Sequence, residues 1–153
     1  MLQRMNELAV QAANGTNEST DREYLDLEVQ QLISEIDRVQ STTTFNEQNL
    51  LNGDFSGGKD LLVGSESGVT ITLKIGKMGS TALSVNNVKV STSALAKSAI
   101  ASIKNGLKTL SKQRSELGAV QNRLEHTINN LNSTKFGTLF AQCLQSVLDR
   151  SDC

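Results

Sequence analysis

Leu2, Met5, Ala9 and Ala12 recur at helical spacing from the start of the chain, which predicts a helix over about residues 2–13. No Ser, Thr, Asp or Asn precedes this run, so it opens as helix interior. "NGTNEST" at 14–20 reads as a loop. Thr20 and Glu23 stand at capping-box spacing and predict a second helix over about 21–44. Its apolar positions Leu25, Val29, Leu32, Ile36 and Val39 are spaced 4-3-4-3, the pattern of a heptad seam. Two antiparallel helices joined by a short loop follow.

The period then changes. "FNEQNLLNGDFSGGKD" (45–60) carries Asn-Gly and Gly-Gly turn signals. "VTITLKI" (69–75) alternates, with Val69, Ile71, Leu73 and Ile75 on one face, which predicts a half-buried strand. Leu61–Val63 and Leu83–Val90 are its candidate partners, giving a small antiparallel β region over about 61–90. From about Ser93 the helical period returns and runs to about 132. One seam row holds Ile103, Leu110, Leu117, Leu124 and Leu131; its companion holds Leu107, Arg114, Gln121 and Ile128. Asn105-Gly106 is a weak point worth about 1 kcal/mol relative to Ala, and the helix is expected to continue through it. The predicted fold class is mainly α: an elongated antiparallel helical bundle or coiled coil with a small antiparallel β-hairpin region.

Composition narrows the function. Proline and tryptophan are absent and Tyr24 is the single tyrosine, so a core must be built from aliphatic residues in narrow helix–helix seams. The net charge is −1 with both signs interspersed, which gives no electrostatic reason to expect nucleic acid or acidic lipid. No apolar stretch approaches the roughly 20 residues that span a membrane, and no basic-then-apolar signal pattern is seen, so export through a cleaved leader is not expected. The one histidine, His126, and the two cysteines, Cys143 and Cys153, do not have metal-ligand spacing. "SGGKD" (56–60) lacks P-loop spacing. Three N-x-S/T triplets, at Asn14, Asn17 and Asn132, read as coincidence in a chain rich in these residues. Neither an enzyme nor a metal or cofactor is expected.

Three stretches carry a resemblance: "LQRMNELAVQAANGTN", "EIDRVQSTTTFNEQNLLNG" and "SKQRSELGAVQNRLEHTINNL". Together they closely resemble both arms of the helical shaft domain, D1, of bacterial flagellin, over about 2–54 and 98–132. Hook-associated filament proteins share pieces of the pattern. The resemblance implies a structural subunit of the flagellar filament, located outside the cell, with other flagellin subunits as partners. It also implies that the chain begins inside the family's first long shaft helix, lacks the terminal segments and variable outer domains, and does not form a normal filament. The alternative is a stand-alone receptor-agonist module or a fragment of a hook-associated filament protein, with no filament-forming ability. The family's shaft is recognised by the flagellin-sensing Toll-like receptor of vertebrate hosts. The positions that match its contact surface are Arg4, Leu8, Gln11 and Glu28, with Ile103, Leu107 and Arg123 on the long helix. Asn6 departs from the basic residue often seen at its position. Arg4 and Glu28 suit charge-assisted bonding and Leu8 suits an apolar anchor, whereas Ile103 and Leu107 also fit a buried seam.

The resemblance stops near residue 132. In "KFGTLFAQCLQSVLDRSDC" the residues Phe136, Phe140, Cys143 and Val147 fall at helical spacing, broadened by Leu139 and Leu144. The 133–153 tail therefore reads as an amphipathic helix in need of a partner. Either it turns near Gly137 and packs back over Leu124, Ile128 and Leu131, or two chains bury their seams and tails as a dimer. The two cysteines read as free thiols, a 143–153 disulfide being the other option.

Overall fold

Residues Leu2–Ala13 form helix α1, which buries Leu2, Met5, Leu8, Ala9 and Ala12 along one stripe. The computed structural model describes the backbone of residues 1–64 and 68–148, with side chains described to 133. Helix α2, Ser19–Thr42, starts two residues before the predicted position. Its N-cap is Glu18 and its capping box is Glu18 with Asp21, not Thr20 with Glu23; the same three-residue spacing occurs two residues earlier, with carboxylates as acceptors. The end of α1 needs acceptor relief as well, because its last carbonyls have no intrahelical donors. Asn17 donates to the Gln11 carbonyl (2.6 Å), Arg22 to those of Ala12 (3.0 Å) and Asn14 (3.1 Å), and Ser93 to that of Ala13 (3.1 Å). With the start of α2 tied to the end of α1, and Glu28 bonded to Arg4 near the start of α1, the two helices run antiparallel. Arg22→Ala removes two charge-assisted bonds at once. It is expected to destabilise the fold by about 1.5–3 kcal/mol, readable as a lowered midpoint in urea.

A two-residue hairpin follows α2. Strands β1 (Thr44–Phe45) and β2 (Gln48–Asn49) pair antiparallel around Asn46 and Glu47, which both have positive φ, 49° and 62°. That is the backbone of a primed hairpin turn, in which Asn is favoured. The sequence predicts helix up to about residue 44 and turns beyond it, so Thr44 pairs in a strand where helix is expected and the hairpin is additional.

The chain divides into two compact units. The first comprises Met1–Gly58 and Lys74–Glu116, and so takes in α1, α2, the small hairpin and the first part of helix α3 (Ser93–Leu148). Its core joins the α1 stripe to Val29, Ile33 and Ile36 of α2 and to Ala96, Ala99 and Ile103 of α3. Ile33 lies outside the strict 4-3-4-3 seam, and Leu25 and Leu32 are only partly buried; the buried face follows the 3.6-residue period of a helix packed on two neighbours.

Leu83–Val90 is not a strand. Leu83, Val85, Val88 and Val90 are buried, but their backbone runs through turns, with Val85 N–H bonded to the Ser80 carbonyl (2.9 Å) and Leu83 N–H to that of Gly79 (3.0 Å). Helix α2 supplies the remaining partners in place of a strand. Asp37 accepts from both the N–H and the hydroxyl of Ser80 (2.8 Å each), Asp26 accepts from Val90 N–H (2.6 Å), and Gln30 donates to the Val88 carbonyl (2.9 Å). Buried backbone must be paired, and these side chains do the pairing. The irregular segment also explains Gly106, which is a close approach and not a weak point: a Cβ there would meet the Leu83 carbonyl oxygen at 3.1 Å.

The second unit holds Lys59–Leu73 and the chain from Leu117 onward. Strand β3 (Lys59–Leu62) pairs antiparallel with β4 (Thr70–Leu73), the predicted pairing, in the register Leu61 opposite Ile71. Thr72 donates to Asp60 across the ladder (2.7 Å). Ile71 is buried as the alternation requires, while Val69, beyond the strand, is exposed. Helix α3 continues through Gly137 to Leu148, so the chain does not turn back there. The side chains of the predicted tail stripe, from Phe136 to Val147, and Cys153 lie outside the described residues.

Candidate interaction surfaces on the helices

Helix α1 presents Arg4, Glu7 and Gln11 on its exposed side, one turn or nearly two apart. Arg4 lies across from Glu28 of α2 and donates Nε–H to its Oε1 (2.8 Å), while a second guanidinium nitrogen stands 3.5 Å from Glu7. The hydrogen bond to Glu28, then its charge, raises the Arg4 pKa above its already high ordinary value. The two side chains remain 52% and 41% exposed, so the pair is a surface feature open to an incoming partner. Farther along α2, Arg38 donates to both oxygens of Glu35 (2.7 and 2.6 Å) and by that hydrogen bond lowers the Glu35 pKa.

The structure sorts the seven candidate receptor-contact residues. Arg4 and Glu28 are brought together on the α1–α2 surface, and Gln11 is exposed on α1 about two turns from Arg4. Leu8 does not serve as an exposed anchor: at 1% exposure it belongs to the core, as does Ile103 at 0%. Leu8 follows Met5 at i+3, so the α1 stripe itself turns it inward. Leu107 is partly buried and packs against the same core. Arg123 is exposed and belongs to the second unit.

Exposed apolar residues add features that the sequence reading passed over. On α2, Tyr24 and Leu27 are 72% and 60% exposed. Both stand off the 25-29-32-36 seam, which was the available signal. In the second unit the α3 seam comes to the surface: Leu124, Ile128 and Leu131 line an apolar groove of about 410 Å³ with Leu61, Leu62 and Val63. Among the described residues no cluster of three or more His, Cys, Asp and Glu could hold a metal ion, and no helix is long and apolar enough to cross a membrane. What the surfaces offer is noncovalent: a surface ion pair, an apolar strip and an apolar groove.

Comparison with known proteins fits this architecture. Residues 1–56 match the bacterial flagellin N-terminal helical region and residues 100–140 the bacterial flagellin C-terminal helical region. The second match runs past residue 132, where the resemblance read from the sequence stops. Flagellin of Halalkalibacterium halodurans is 47% identical over 137 residues, covering 87% of this chain and 49% of the relative. Flagellin FlaB1 of Treponema pallidum is 37% identical over 146 residues, covering 86% and 51%. The chain thus spans about half the length of these curated relatives. The crystal structure of Bacillus cereus flagellin superposes with a TM-score of 0.75 at 32% identity, covering 84% of this chain and 74% of that one. With both helical regions matched in order and a solved flagellin sharing the fold, the chain belongs to the bacterial flagellin family.

Proposed function

We propose that this chain is the helical-shaft portion of a structural subunit of the bacterial flagellar filament, acting outside the cell and packing against other flagellin subunits. The observation that carries this reading is the two-armed family match, whose N-terminal and C-terminal helical regions here build one shared core from Met5, Leu8, Val29 and Ile103. A protein of this kind works by its surfaces and not by turnover. The test is mass spectrometry of sheared, washed filaments from the source bacterium. The tryptic peptide Ser115–Arg123 is expected in the filament fraction. Its confinement to the cell lysate would overturn the reading.

A second reading is supported by the exposed Arg4–Glu28 pair, with Gln11 exposed about two turns farther along α1: the same shaft is a ligand of the flagellin-sensing Toll-like receptor. Arg is enriched among interface hot spots, and a guanidinium already oriented by a carboxylate loses little freedom on binding. Arg4→Ala and Glu28→Ala are expected to weaken binding to the purified receptor ectodomain by about tenfold or more, with the circular dichroism spectrum and melting curve unchanged. Unchanged affinity in both variants removes this reading and leaves the first untouched.

A further inference from the structure

The near-zero net charge of this chain conceals a segregation of charge. Residues 1–58 hold ten carboxylates against three arginines, a net −7; residues 74–116 hold eight basic residues against one carboxylate, a net +7. These two stretches make up the first compact unit, whose neutrality is the sum of an acidic arm and a basic one. The expectation of interspersed signs does not survive at this level.

On α3, Lys97, Lys104, Lys108 and Lys112 are all exposed. By the helical period they fall within about 80° of one another and span about 22 Å of the axis. They lie on the side away from Ala99 and Ile103, which face the core, so the width of α3 stands between them and the acidic helices. Among the described residues Lys112 stands 3.9 Å from Glu116, and no ion pair joins Lys89, Lys97, Lys104 or Lys108 to a carboxylate.

A small pocket adjoins the start of this stripe. Helix α3 and the irregular segment enclose about 120 Å³ between Ser84, Asn87 and Lys89 on one side and Ser98 and Ser102 on the other, and no carboxylate lines it. Lys89 is exposed between the buried Val88 and Val90. Neither its ammonium nor the Asn87 side chain has a protein partner. Ser98 and Ser102 donate to the Leu95 and Ser98 carbonyls of their own helix (2.8 and 3.4 Å), which leaves their hydroxyl oxygens free to accept. Ser84 has a φ of 58°, a left-handed conformation uncommon for a residue with a β-carbon and concentrated at functional sites.

We propose that this surface binds a linear anionic polysaccharide. The anionic groups of the polymer follow the lysine stripe, and one of them enters the pocket, where the Lys89 ammonium and the Asn87 amide donate to it. The Ser98 and Ser102 oxygens accept from neighbouring sugar hydroxyls. Other polyanions fit less well. Single-stranded nucleic acid is held by aromatic platforms, whereas the lysines share their side of α3 with Ala101, Ser111 and Ser115. An anionic membrane takes a basic helix whose opposite face is free to enter the lipid, and here that face is core. None of these residues belongs to the Arg4–Glu28 surface, and the inference goes beyond both functional readings.

The test is calorimetric titration of the full chain with a heparin hexasaccharide from about 0.05 M salt upward. Binding is expected at low salt, weakening steadily as salt rises. Lys104→Gln/Lys108→Gln should weaken it by about tenfold or more at the low-salt end and make its salt dependence shallower, with an unchanged circular dichroism spectrum. Asn87→Ala/Ser98→Ala leaves every charge in place. It should weaken the hexasaccharide several-fold and leave inorganic polyphosphate of comparable charge unaffected, a split that a stripe acting by charge alone would not produce. A parent chain that does not bind at low salt overturns the proposal. Hexasaccharide affinity unchanged by the Asn87 and Ser98 substitutions also overturns it, by reducing the surface to a nonspecific polyanion patch. So does tighter binding of a DNA duplex or of phosphatidylglycerol vesicles than of the hexasaccharide. Each of these results leaves the filament-subunit reading standing.

Discussion

Ile103→Ala is expected to lower the free energy of unfolding by about 2–5 kcal/mol. Ile103 has no exposed surface and sits in the cluster that joins α1, α2, the irregular 83–90 segment and α3. Removing its side chain leaves a cavity inside a close-packed cluster that also contains Met5, Leu8, Val29 and Val85, where there is little scope for collapse. Thermal or denaturant unfolding followed by circular dichroism checks it; a loss below about 1 kcal/mol would mean that the site is solvated. The result bears on recognition. If Ile103 acts only through the core, receptor binding by Ile103→Ala should match that of the parent chain wherever both are folded, and diverge only as the variant melts.

Asp37→Ala is the second large effect expected, about 2–4 kcal/mol. One carboxylate holds both the N–H and the hydroxyl of Ser80, a residue that is 3% exposed. Without it two buried donors lose their acceptor, and the first turn of the irregular segment loses its attachment to α2. Asp37→Asn keeps one acceptor and should fall between Ala and the parent. Hydrogen exchange gives the specific readout: the Ser80 and Val85 amides should exchange much faster in Asp37→Ala, while amides in the first turns of α2 keep their protection. Unchanged protection at Ser80 would show that the bond is dispensable.

The periodic parts of this fold were legible in the sequence. Met5, Ala9 and Ala12 on α1, the antiparallel pairing of 59–62 with 70–73 and the return of helix at Ser93 all follow from the spacing of apolar positions. Errors arose where a template was stricter than the physics. A heptad ruler set aside Ile33, and an alternation ruler made a strand of Leu83–Val90, whose backbone partners are α2 side chains invisible to any local pattern. The candidate surface was half legible. Arg4 and Glu28 came from family likeness and meet in space, but the same likeness lifted Leu8 and Ile103 onto a surface from which their own helical periodicity excludes them. Charge was the least legible, because a net value near zero averages a negative first third against a positive stretch that folds beside it.

The bonds from α2 to the irregular segment span 43 to 64 residues of sequence, and Ser93 reaches back 80 residues to α1. Contacts so distant along the chain are slow to form, since a long loop must be closed before any of them contributes. During translation the first two helices emerge with an apolar stripe and no third wall to bury it. The wall arrives only when Ala96, Ala99 and Ile103 have left the ribosome tunnel. Until residue 103 has emerged, the nascent α1–α2 pair therefore keeps an open apolar stripe, accessible to chaperones and proteases.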